Sequence, residues 1–90
     1  MNFIKENDKT YLKEENGDII ALVDYPTTAE KVITITHTFV DDSLRGQGVA
    51  GKLMECVVEF AKENKVKIIP QCSYAVKWFE KNSQYSDLLK

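Results

Sequence analysis

The chain has 90 residues, 12 of them basic and 14 acidic, for a net charge of −2. That length fits one domain over 1–90, and that charge excludes the basic face with which a nucleic-acid protein displaces counterions. A hydrophobic share of 43% beside 29% charged residues excludes a disordered chain.

In chain order the first expected element is a short strand from Phe3 to Glu6, turning through Asn7-Asp8. Lys9 to Glu15 and Asp18 to Tyr25 read as a hairpin joined by Asn16-Gly17, two residues that tolerate positive φ. Pro26-Thr27-Thr28 closes the second of these strands. Lys31 to Val40 reads as one long strand, with Ile33, Ile35, His37 and Phe39 on one face. The period then becomes helical. Val49, Ala50, Leu53, Met54, Val57, Val58 and Ala61 form a single apolar stripe, and Asn64 is the expected left-handed stop. Val66 to Pro70 reads as a strand, Ser73 as the cap of a helix over 74–81, and 83–90 as a tail that docks. A meander followed by helix, strand and helix is an α+β fold.

The longest apolar run, Ile19 to Val23, is far too short to span a bilayer. Charge interrupts the first six residues before any apolar stretch forms, so the expected setting is the cytoplasm. There Cys56 and Cys72 are expected as free thiols, with Cys56 structural. The expected state is a monomer with no metal.

Three of the four glycines fall in Arg45-Gly46-Gln47-Gly48-Val49-Ala50-Gly51-Lys52, between the best strand and the best helix. A helix start offers free N–H groups to an anion, and glycines let a phosphate approach them. Three glycines so close together exceed what a tight turn requires, which favours an anion site over a turn alone. Gly46-x-Gly48-x-x-Gly51 matches the dinucleotide fingerprint, but the strands before it are antiparallel, and Gln71-Cys72 stand where a ribose-binding acid belongs. Gly46-x-x-x-x-Gly51-Lys52 nearly matches a nucleotide-triphosphate loop, yet Leu53 replaces the hydroxyl that holds magnesium.

Arg45, Gly48 and Ala50 satisfy a third pattern, Arg/Gln-x-x-Gly-x-Gly/Ala. Together with His37-Thr38-x-Val40, Pro70-x-Cys72-x-Tyr74 and Tyr85-x-Asp87-Leu88, it makes the chain resemble the GNAT superfamily of N-acetyltransferases. Within that superfamily it is similar to a small, single-domain bacterial group. The resemblance implies acetyl-CoA as acyl donor and an unidentified amine as acceptor. It implies a diphosphate held by Arg45, Gly46, Gln47, Gly48, Val49, Ala50 and Gly51, and a pantetheine arm paired with backbone at Phe39 and Val40. A backbone N–H near Phe39 then faces the thioester oxygen. Full-length relatives carry extra helices between their first strands, where this chain has only a hairpin.

Three side chains are candidates for the chemistry. Cys72, at a strand-to-helix corner, is either a nucleophile favoured by the helix start or a lining residue. Tyr74 either protonates the departing thiolate or is a half-buried ring. His37 is either a general base or a hydrogen-bonded core histidine. Asp41 and Asp42 are expected to point away from a phosphate, and Trp78 and Phe79 to belong to the core. Besides a transferase, the sequence admits a non-catalytic acyl-CoA-binding module of the same fold. An interaction domain whose glycines only shape a turn is the third reading.

Overall fold

Alternation of apolar and polar residues produces seven strands in the computed structural model, which describes residues 2–90. β1 (Ile4–Lys5), β2 (Lys9–Lys13), β3 (Ile19–Asp24) and β6 (His37–Val40) form an antiparallel sheet in the order β1-β2-β3-β6. β4 (Thr27–Ala29), β5 (Val32–Ile35) and β7 (Lys67–Pro70) form a second sheet, in which β5 and β7 run parallel. α1 (Val49–Asn64) and α2 (Ser73–Lys81) complete the expected α+β order.

Ala21 and Val23 of β3 and Ile33 and Ile35 of β5 are fully buried beneath Leu53, Met54 and Val57 of α1. Each such side chain contributes roughly 1.5–3 kcal/mol on leaving water. Phe79 is buried in the same core, and Trp78 is partly buried against it. The indole stacks on Tyr85 at 5.7 Å, which helps dock the tail. The tail also joins the second sheet: Leu89 bridges Ile68, and the Lys90 N–H donates to the Ile68 carbonyl at 3.0 Å.

Local chemistry moves several expected boundaries. The hairpin loop runs over residues 14–18 rather than through Asn16-Gly17 alone. Only Gly17 takes positive φ there, because the Asn16 side chain instead accepts the Asp18 N–H at 2.9 Å. Thr27 does not end the sheet; it opens β4, a strand absent from the sequence reading. Asn64 remains helical with its amide bonded to the Phe60 carbonyl, and Lys65 takes the left-handed stop at φ 56°. Ser73 is the first residue of α2, and Cys72 is the cap residue.

The largest departure is in the long strand from Lys31 to Val40, which divides at Thr36 into β5 and β6. Thr36 donates its N–H to the Asp24 carbonyl at 3.1 Å, while His37 is the register partner of the same Asp24. Two residues facing one constitute a bulge, which bends the strand and reverses which side chains face the core. Ile33 and Ile35 are therefore buried, whereas His37 and Phe39 are exposed.

Among the described residues no helix is long and apolar enough to cross a membrane. Cys56 and Cys72 are both free.

Candidate active site

The bulge also opens a gap. The Ile35 carbonyl accepts the N–H groups of Gln71 and Cys72, each at 3.1 Å, where the β5–β7 pairing ends. Beyond that point β6 pairs with β3 and leaves β7 behind. The Asp41 N–H donates to the Ile20 carbonyl, and antiparallel alternation then turns the Phe39 N–H toward β3. The free backbone groups facing the gap belong to Thr38 and Val40. The expected N–H near Phe39 is thus that of Thr38, since the Phe39 N–H itself turns toward β3.

A cleft of about 650 Å³ lies at this edge, lined by Thr38, Phe39, Val40, Asp41, Asp42, Arg45, Ala50 and Tyr74. A second cleft of about 370 Å³ shares Val40, Arg45, Ala50 and Tyr74 with it, and is also lined by Gly46, Gly48, Val49 and Gly51. The shared walls link the glycine loop to the strand gap.

Gly46 and Gly48 have φ of 82° and 71°, so the turn itself demands both of them. The expectation that the glycines exceed what a turn needs is therefore corrected for these two. A Cβ on either would meet nothing within 4 Å, so their outer sides are open. Gly51 is different: it is helical, and its missing side chain faces Trp78 and the Tyr74 hydroxyl. The anion reading instead rests on the start of α1. Gly48 is the cap residue, no side chain caps it, and its first turn contains no acid. The N–H groups of residues 48–51 are thus free of intrahelical partners and lie at the positive end of a helix of 16 residues.

Two acidic residues, Asp41 and Asp42, are among those lining this cleft. Each has a local partner. The Asp41 carboxylate accepts both the N–H and the hydroxyl of Ser43, which hold its pKa below the usual range. The Asp42 carboxylate pairs with the Arg45 guanidinium at 2.9 Å, both side chains being exposed. The Gln47 amide donates to the Ser43 carbonyl at 3.4 Å.

The three chemical candidates occupy different places. Tyr74 lines both clefts and is 39% exposed, and burial raises its pKa above the ordinary value. Cys72 is half-buried behind the cleft wall, with Sγ 3.3 Å from the Thr38 hydroxyl. His37 is exposed on the opposite face of β6, beside its register partner Asp24, so it is no core histidine. Sequence reasoning missed Thr38 as a site residue. Its signal was its alternation with Val40, legible only once the bulge is placed.

The family model described as GCN5-related N-acetyl-transferase matches residues 9–88. The chain belongs to the GCN5-related N-acetyltransferase family. An NMR solution structure of a GCN5-like protein from Staphylococcus aureus is 39% identical, with a TM-score of 0.81. That match covers 99% of this chain and 87% of the other. The protein NATD1 of Xenopus tropicalis is 31% identical over 72 residues, 78% of this chain and 66% of that protein. The match thus spans just under two thirds of that relative. N-acetylglutamate synthase from Neisseria gonorrhoeae, solved with coenzyme A, matches at 14% identity and a TM-score of 0.66, which shows likeness of fold. That match covers 89% of this chain and 22% of the synthase chain. The split sheet and the loop before α1 are thus parts of a GCN5-related fold.

Proposed function

We propose that the chain is an acetyl-CoA-dependent N-acetyltransferase acting on an amine. The observation that carries this reading is the continuous groove from the uncapped start of α1 to the gap between β6 and the β7–α2 corner. Its residues fit the donor. The N–H groups of Gly48, Val49, Ala50 and Gly51, with Arg45 and Gln47, would hold a diphosphate, and Gly46 leaves that side open. Backbone groups of Thr38 and Val40 would pair with an extended amide-bearing arm, and the exposed Phe39 ring would cover it. Acetyl-CoA, when bound, supplies the acetyl group already activated as a thioester.

The chain's own groups then manage charge and protons. The Tyr74 hydroxyl, kept protonated by burial, would give a proton to the departing thiolate. His37, on the opposite face of β6 and outside the lining of both clefts, would take up the amine's proton through solvent. Cys72 stays behind Thr38, outside the lining of both clefts, so the amine would attack the acetyl carbon directly. The working form is a cytoplasmic monomer.

Thiol release from acetyl-CoA in the presence of a panel of amines tests this reading. Sustained release that depends on one class of amine is expected. Tight binding with no release would contradict it and favour an acyl-CoA-binding module.

Two smaller effects follow from the loop. Gly48→Val forces a β-branched residue into left-handed backbone, at a cost of about 1–3 kcal/mol. Its affinity for acetyl-CoA should fall about tenfold in a protein that still folds, as calorimetry and circular dichroism would report. Asp42→Asn frees Arg45 and removes a negative charge from the cleft. A gain of about two- to five-fold in affinity is expected at low salt, fading as salt is added.

A further inference from the structure

Gly46 and Gly48 are explained by their positive φ, but Gly51 is not. It is the third residue of α1, in helical backbone that any residue adopts. Space does not require a glycine there either. A Cβ at residue 51 would lie 3.6 Å from the Trp78 indole nitrogen and 4.0 Å from the Tyr74 hydroxyl, both ordinary contacts. Alanine therefore fits this position and suits a helix better than glycine does. A diphosphate needs only the N–H of residue 51, which alanine keeps. The missing side chain points elsewhere, at two residues of α2. Of these the indole is clamped, stacked on Tyr85 at 5.7 Å and edge-on to Phe79 at 5.0 Å. Tyr74 is the exposed one, and it shares a cleft wall with Gly51.

The geometry points to Gly51 as a positioning residue whose bare α-carbon keeps the Tyr74 hydroxyl hydrated and free to turn beside the start of α1. This rests on the acetyltransferase reading, in which Tyr74 acts as the acid. There its O–H bond breaks, an S–H bond forms on the departing thiolate, and the phenolate left behind recovers a proton from water. A methyl group on residue 51 fits beside the neutral phenol but excludes water from that side. It thus penalises the phenolate and slows the return of the proton.

Ring-carbon NMR of the full chain with labelled tyrosine, titrated with base, tests this without any cofactor. Gly51→Ala should move the Tyr74 titration about 0.5 higher in pH, with an equal or higher melting temperature and an unchanged affinity for acetyl-CoA. Gly51→Ser carries a hydroxyl within reach of the phenolate and should move the titration back down. In turnover, Gly51→Ala should lower kcat about five-fold at an unchanged KM for acetyl-CoA, and should have no further effect in a Tyr74→Phe background. Coincident Tyr74 titrations in parent and Gly51→Ala would overturn the proposal, as would an undiminished loss of kcat in the Tyr74→Phe background. A lower melting temperature in Gly51→Ala would also overturn it, by showing that packing demands the glycine. Failure of the parent to release thiol with any amine would instead overturn the acetyltransferase reading, with the titrations still deciding whether Gly51 governs the Tyr74 hydroxyl.

Discussion

A Tyr74→Phe protein is expected to bind acetyl-CoA like the parent and to turn over about 100-fold more slowly. The phenylalanine keeps the ring that lines both clefts and removes only the hydroxyl. Burial penalises the phenolate and raises the pKa, so the acid form persists through neutral pH and beyond the ordinary tyrosine value of about 10. The sign follows directly. An acid works while protonated, so kcat should fall on the alkaline side, above the ordinary tyrosine range. That limb should vanish in Tyr74→Phe, leaving a low, flat rate. Stopped-flow thiol release across pH reads both features. An unchanged kcat with an unchanged alkaline limb would remove Tyr74 from the chemistry.

Ala50→Asp should weaken acetyl-CoA binding about 100-fold while leaving the melting temperature equal or higher. Ala50 is the second residue of α1 and lines both clefts. A carboxylate there lies at the positive end of the helix, which favours folding, but it also stands where a phosphate would sit. Stability and affinity therefore move in opposite directions. A substitution that merely damaged the fold would lower both. Thermal melts and calorimetry on the same preparation distinguish the two, and undiminished affinity would move the diphosphate away from α1.

The sequence revealed the elements more readily than their joints. The stripe from Val49 to Ala61 and the apolar run of β3 are long, and periodicity finds them. The break at Thr36 escaped because the alternation through Val32 to Val40 looks uninterrupted. One extra residue facing Asp24 is a property of two strands together and leaves no mark on either alone. The same hidden shift concealed Thr38, whose facing could be read only after the bulge. The glycine loop does lead into α1, but the reason given for its glycines was partly mistaken. Gly46 and Gly48 are demanded by their backbone, and the proposed anion site rests instead on the uncapped first turn of α1. The sequence did not reveal that Asp41 and Asp42 line the cleft or that each has a local partner. Ser43 and Arg45 each hold one of the carboxylates at the cleft.

The central claim is that acetyl-CoA sits on the start of α1 and runs into the gap beside β6. Backbone amide NMR during titration with acetyl-CoA tests it most directly. The account predicts that the largest shifts fall on the amides of residues 45–51, with a second group at Thr38, Val40 and Cys72. Shifts confined to other segments, or none at saturating acetyl-CoA, would contradict it.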